Sequence, residues 1–157
     1  MRKANGADQR VQFERNVRYF NDNLNLAAMT KREIDISVFR EKAKPEVAIE
    51  LKYPKNGQHP ESMFSFCKDI RFLEELKEKV GFNKAWLLVL ADDPLFYAGN
   101  APAGSIYRFF RGDKSCPVEG RITKPTGKKN ETLCLNGRYA VTWKPVSGDL
   151  KYFVLEV

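Results

Sequence analysis

The segment "PEVAIELKYPKNG" (residues 45–57) sets two charged residues, Glu50 and Lys52, into an otherwise apolar run. Residues at positions i and i+2 of a β-strand point to the same side of a sheet, so these side chains share one face. Two explanations are open at this point. Either the face is solvated and the two residues form a surface ion pair, or both groups converge on a ligand that requires them.

The preceding segment, "REIDISVF" (residues 32–39), also alternates between apolar and polar residues and predicts a second strand. Asp35 belongs to its polar set. Because only about seven residues separate the two segments, we expect them to pair as an antiparallel hairpin. That pairing brings Asp35 to the same side of the sheet as Glu50 and Lys52.

An acidic residue two positions before a lysine is not rare in this chain, because residues 75–77 and 149–151 repeat the spacing of residues 50–52. Residues 75–77 lie in a predicted helix, where side chains two positions apart point in different directions. Residues 149–151 follow a predicted hairpin turn, where acidic residues are common. Only the first triplet lies in a strongly apolar strand.

The other patterns predict a helix over residues 9–22, a second helix from an N-cap at Ser62 to Val80, and a strand over residues 84–92. The strand at 84–92 is a continuous apolar run, which is typical of a strand covered on both faces and implies helices on both sides of the sheet. The tail after residue 130 is β-like, with a turn at "VSGD". We therefore expect one domain, residues 1–157, of the α/β or α+β class, with a mixed central sheet flanked by helices.

Composition excludes several classes of protein. Apolar residues make up 43% of the 157 residues, and no apolar run approaches the length of a membrane span. The N-terminus lacks the apolar stretch of a secretory signal. Three widely spaced cysteines and a single histidine argue against a zinc site and suggest reduced thiols in a cytoplasmic protein.

The net charge of +7 suggests an anionic partner, and its distribution is uneven. The segment from Arg108 to Lys129 holds seven basic residues against two acidic ones. The basic residues are Arg108, Arg111, Lys114, Arg121, Lys124, Lys128 and Lys129. Two interpretations stay open: a solvated loop, or an arm that contacts phosphate groups.

If the hairpin forms, Asp35, Glu50 and Lys52 constitute a chemically coherent set. Two carboxylates supply the oxygen ligands that Mg²⁺ or Mn²⁺ prefers. A bound divalent cation polarises a phosphodiester and lowers the pKa of a bound water. A neighbouring lysine orients that water or offsets charge on the phosphate in the transition state.

These motifs carry a resemblance to a known family. "EID" with Asp35, followed by "AIELKY" with Glu50 and Lys52, resembles the PD-(D/E)XK nuclease superfamily. The flanking elements are similar to the αβββαβ core of that superfamily, although only two strands are predicted before the second helix. More narrowly, the chain resembles restriction-endonuclease-like bacterial proteins, through "KDIRFLEEL" (68–76), "DPLFY" (93–97) and the closing "RYAVTWKPVSGDLKYFVLEV".

The resemblance implies roles for individual residues. Asp35, Glu50 and the backbone carbonyl of Leu51 are expected to bind Mg²⁺ or Mn²⁺, with Lys52 in the catalytic role. Many members also use a glutamate on the first helix, and Glu14 is the matching candidate.

The resemblance also implies a partner, nucleic acid and chiefly DNA, and a possible homodimer. The residues expected to contact nucleic acid are Lys68, Arg71, Arg108, Arg111, Lys128 and Lys129. The first functional hypothesis is a Mg²⁺-dependent nuclease that hydrolyses phosphodiester bonds of DNA. The alternative is a catalytically silent nucleic-acid-binding or protein-interaction module on the same fold.

Overall fold

A computed structural model of the chain describes residues 9–55, 57–113, 115–127 and 131–157. It contains eight strands and one long α-helix. The strands are β1 (Arg10–Asn16), β2 (Glu33–Arg40), β3 (Lys44–Lys52), β4 (Lys84–Ala91), β5 (Val118–Thr123), β6 (Thr132–Tyr139), β7 (Lys144–Ser147) and β8 (Leu150–Glu156), and the helix α1 spans His59–Glu75. Six strands form one mixed sheet in the order β1-β2-β3-β4-β8-β7, while β5 and β6 form a separate pair. The expected mixed sheet and α+β class are confirmed.

The hairpin predicted around the acidic residues is present. Strands β2 and β3 pair in antiparallel fashion, and β4 pairs with β3 in parallel after the chain crosses through α1. The helix begins at His59 rather than after an N-cap at Ser62. Pro60 is compatible with the first turn, because backbone N–H groups there have no acceptor within the helix and the N–H that proline lacks is not needed. After Glu75 the helix continues as one π-helical turn (Leu76–Val80). It ends at Gly81, whose φ of 92° lies in the left-handed region that glycine adopts freely.

The predicted first helix, residues 9–22, is wrong. Residues Arg10–Asn16 form β1, which pairs with β2, and a single 3₁₀ turn follows at Val17–Tyr19. Val11 and Phe13 fit the two-residue period of a strand as well as a helical stripe, and the free edge of β2 supplies the backbone partners. Three antiparallel strands therefore precede α1, one more than predicted.

The helix α1 lies between the main sheet and the β5–β6 pair, since it contacts β3 and β4 as well as β6. Its carboxylate Glu74, 5% exposed, accepts hydrogen bonds from the backbone N–H groups of Asn136 (2.9 Å) and Gly137 (2.8 Å). The hydroxyl of Tyr139 donates to the same oxygen at 2.8 Å. These hydrogen bonds to a buried carboxylate hold β6 against the helix.

The expectation of helices on both faces of the sheet does not hold for the part of the chain that the structure describes. There, α1 covers one face, where Leu87 and Val89 of β4 are fully buried. The opposite face stays open to solvent, with Phe13 71% and Val154 54% exposed. The long apolar run of β4 therefore does not require a helix on each face of the sheet.

The C-terminal part is β structure, as predicted, and the turn at Gly148 and Asp149 joins β7 to β8. Strand β8 lies antiparallel beside β4 and completes the centre of the sheet. The basic segment from residue 108 onward is not simply a loop, because it contains β5. Among the described residues, no helix is long and apolar enough to cross a membrane.

Candidate functional site

The predicted site lies where β2 and β3 separate. Their last shared ladder pair toward this end is Ile36 with Ile49. Beyond that pair, β2 continues against β1, and β3 continues against β4. The two strands thus form a fork, and Asp35, Glu50 and Lys52 lie at its opening.

Side chains replace the missing ladder bonds at the fork. The backbone N–H of Leu51 donates to Oδ2 of Asp35 at 2.8 Å, and the N–H of Asp35 donates to Oε1 of Glu50 at 3.2 Å. The pairing of Ser37 with Ala48 puts Asp35, Glu50 and Lys52 on the face of the sheet that α1 covers. The predicted shared face is therefore present, and the fork holds both carboxylates next to each other.

Two residues that sequence reasoning missed, Lys31 and Asp69, complete the cluster. Glu50 is fully buried, and its Oε2 is ion-paired with the ammonium of Lys31. The same ammonium lies 3.1 Å from Oδ1 of Asp69, and Lys52 Nζ lies 3.2 Å from Oδ2 of Asp69. The charges alternate in the order Glu50, Lys31, Asp69, Lys52, so a solvated surface pair of Glu50 with Lys52 is excluded.

A sequence signal exists for one of these two residues. Asp69 lies three positions after Phe66 and four before Leu73, both fully or almost fully buried, so the sequence placed a carboxylate on the core-facing stripe of a helix. A charge at such a position signals a buried partner. Lys31 has no comparable signal, because its partners Glu50 and Asp69 are distant in the chain.

Burial dominates the electrostatics of this cluster. It raises the pKa of Glu50 to about 7, against the attraction of Lys31 and with a further contribution from Asp69. Burial also raises the pKa of Asp69, although Lys31 and Lys52 oppose it. Burial alone would lower the pKa of Lys31, but the two carboxylates together raise it above its ordinary value.

A cleft of about 320 Å³ opens beside the cluster. Its lining residues are Lys31, Lys52, Glu61, Phe64, Ser65, Lys68, Asp69, Lys124 and Glu131. At its rim, Lys68 pairs with Glu131 at 2.8 Å, and Lys124 lies 3.5 Å from Glu61. The side chains of Lys31 and Lys52 are 26% and 27% exposed, so both lysines are partly accessible to solvent while they contact the buried carboxylates.

Glu14, expected on a first helix, instead lies in β1 and is exposed. The pairs Phe13–Ile36 and Arg15–Ile34 flank it, so its register position is beside Asp35 on the neighbouring strand. Its φ of 50° is in the left-handed region, which explains why the ladder is interrupted at this residue.

The four residues expected to contact nucleic acid that the structure describes have different surroundings. Lys68 lines the cleft, whereas Arg71 pairs with Glu74 at 3.0 Å on its own helix. Arg111 donates to two backbone carbonyls of the loop after β4, and Arg108 stacks on the ring of a neighbouring phenylalanine at 4.6 Å. Lys128 and Lys129 lie outside the described residues, as does Lys114.

Within the described ranges, no group of three Asp, Glu, His or Cys residues is arranged to hold a metal ion. Asp35 and Glu50 supply two carboxylates, and Mg²⁺ is commonly bound by one or two carboxylates with water and substrate phosphate completing the shell. The donor set therefore fits a hydrated Mg²⁺ ion better than a closed all-protein site.

Comparisons with known proteins add no relative. No family model matches the chain, and neither the curated proteins nor the solved structures contain a significant match. The functional argument therefore depends on the geometry of the fork and the cleft.

Proposed function

We propose that this chain is a Mg²⁺-dependent nuclease that hydrolyses phosphodiester bonds of DNA. The observation that carries the proposal is the fork between β2 and β3. It holds Asp35 and Glu50 together through backbone hydrogen bonds and puts Lys52 at the mouth of a lysine-lined cleft. A buried carboxylate with a strongly raised pKa, here Glu50, beside a second carboxylate and a lysine at a cleft is a feature of functional sites.

The proposed metal ligands are Asp35, Glu50 and the backbone carbonyl of Leu51. A cation bound there supplies Lewis-acid polarisation of the phosphate and a bound water of lowered pKa. The chain's own residues do the positioning. The N–H of Leu51 fixes the rotamer of Asp35, and the N–H of Asp35 fixes one oxygen of Glu50, so both carboxylates are oriented before any ligand arrives.

Lys52 is the proposed catalytic residue. Its ammonium lies 3.2 Å from Asp69 and is partly open to the cleft, where a scissile phosphate and its attacking water would lie. From there it can donate a hydrogen bond to the water or to a phosphate oxygen, which offsets the charge that develops in the transition state. Lys68 and Lys124 at the rim can exchange their partly exposed carboxylate partners for DNA phosphates.

The strand order supports the same proposal. Three antiparallel strands, a helix and a parallel strand follow one another in the chain, which agrees with the βββαβ part of the αβββαβ core that the motifs resemble. The candidate residues occupy the middle and last of those three strands. The proposal of a restriction-endonuclease-like fold rests on this order and on the motif positions.

Plasmid cleavage tests the proposal. The wild-type protein should nick supercoiled DNA only when Mg²⁺ or Mn²⁺ is present, and Lys52→Ala should lower the rate by about 10²-fold or more while the protein stays folded. Lys151→Ala is the matched control, because Lys151 has the same acid-x-lysine spacing but lies in β8, which β4 separates from β3. Equal nicking by wild type and Lys52→Ala would refute the assignment.

One observation favours the catalytically silent module as a second candidate. The charged residues of the cluster already pair with one another, and Lys31 is bound to Glu50. A module of this kind would bind DNA in a salt-dependent manner and would show no metal-dependent cleavage in the same plasmid assay.

A further inference from the structure

We propose that Lys31 is a built-in competitor for the divalent cation, so that the cation binds Glu50 only when the Lys31 ammonium withdraws. This inference rests on the proposed function and concerns the control of the same site. The ammonium bridges Glu50 and Asp69, two carboxylates that are 0% and 1% exposed. A positive charge thus already occupies the space between the buried carboxylates.

Competition follows from the oxygens of Glu50. Its Oε1 accepts the hydrogen bond from the N–H of Asp35, and its Oε2 is bound to Lys31. A divalent cation on the same carboxylate would lie within a few ångström of the ammonium, where like charges repel strongly in a buried setting. The two cations therefore exclude each other at Glu50.

The structure gives Lys31 a route out of the cluster. It lies just before β2, its side chain is 26% exposed, and it lines the cleft. Asp69 retains Lys52 as a partner when Lys31 leaves, so the withdrawal leaves no carboxylate without a cation. The released ammonium enters the cleft, where a DNA phosphate is a suitable partner, and cation binding and phosphate binding then favour each other.

Mn²⁺ binding to the intact protein tests this proposal without any cleavage assay. Free Mn²⁺ is measured by electron paramagnetic resonance for wild type and Lys31→Met. Removal of the competitor should tighten Mn²⁺ binding at least about tenfold, which corresponds to about 1.4 kcal/mol. Lys144→Met is the matched control, because it removes the same charge from the exposed strand β7, and its affinity should change less than about threefold.

The outcomes separate the two proposals. Equal or weaker Mn²⁺ binding by Lys31→Met than by wild type overturns the competitor role and leaves the metal site in place. Absence of Mn²⁺ binding in both proteins overturns the proposed function together with this inference.

A measurement on the wild type covers the case in which Lys31→Met fails to fold. The side-chain ¹⁵Nζ resonance of Lys31 is followed by NMR while Mg²⁺ is added. It should move from an ion-paired position to that of a solvated lysine as the site fills, while Lys124 stays unchanged. A Lys31 resonance that keeps its ion-paired position at saturating Mg²⁺ overturns the inference.

Discussion

Replacement of Glu50 by glutamine should change how the stability of the metal-free protein depends on pH. Glu50 is fully buried, and its pKa rises from 4.5 to about 7 because burial disfavours the charged carboxylate. Folding therefore favours the protonated form. The stability that this group contributes is fully present below about pH 4.5 and is lost as the pH rises through 7.

The magnitude follows from the size of the shift. A change from 4.5 to about 7 in the pKa of one carboxyl corresponds to about 3 kcal/mol of folding free energy between the two ends of that range. Glutamine has the same shape and does not titrate. Between pH 4.5 and 8, the wild-type protein should therefore lose up to about 3 kcal/mol relative to Glu50→Gln.

The assay is urea unfolding in EDTA at several pH values for both proteins. Glu41→Gln is the control, because it removes the same charge from an exposed position outside the sheet. A difference between wild type and Glu50→Gln that is flat across this range, or that grows toward acid, would refute the argument that burial controls Glu50.

Three further predictions concern the fold. Glu74→Ala should lower the free energy of unfolding by about 3 kcal/mol, measured by urea titration, because it leaves three partly buried donors of β6 without their acceptor; a loss below about 1 kcal/mol would contradict this. Phe153→Ala should cost about 3–5 kcal/mol in the same titration, whereas Phe13→Ala should cost less than about 0.5 kcal/mol, since Phe153 is fully buried and Phe13 is 71% exposed; equal costs would be inconsistent with the open sheet face. Arg111→Gln should lower the melting temperature by removing its bonds to loop carbonyls, while the salt dependence of DNA binding stays as in wild type; a weaker salt dependence would instead make Arg111 a phosphate contact.

The central part of the fold was predictable because its patterns are local. The alternation in residues 32–39, the apolar strand at 84–92 and the helical stripe before Gly81 each identify an element without reference to the rest of the chain. The helix prediction for residues 9–22 is wrong because Val11 and Phe13 fit the two-residue period of a strand as well as a helical stripe. The choice there depends on the unpaired edge of β2, which is a tertiary feature.

The candidate site was predictable in part for the same reason. The two strand patterns placed Asp35, Glu50 and Lys52 on one face, and the register agrees with that placement. The partners of these residues were not predictable from spacing, because Lys31 and Asp69 reach the cluster only through the packing of α1 on the sheet. Of these two residues, only Asp69 has a signal in the sequence, as a carboxylate on the buried stripe of a helix.

The most direct measurement is anomalous diffraction at the manganese edge from crystals soaked in Mn²⁺. The proposal predicts a peak at the fork, about 2.1 Å from carboxylate oxygens of both Asp35 and Glu50, with the Lys31 ammonium withdrawn into the cleft. An occupied Mn²⁺ site elsewhere on the protein, with the Lys31 ammonium still bound to Glu50 and no peak at the fork, would contradict the nuclease assignment.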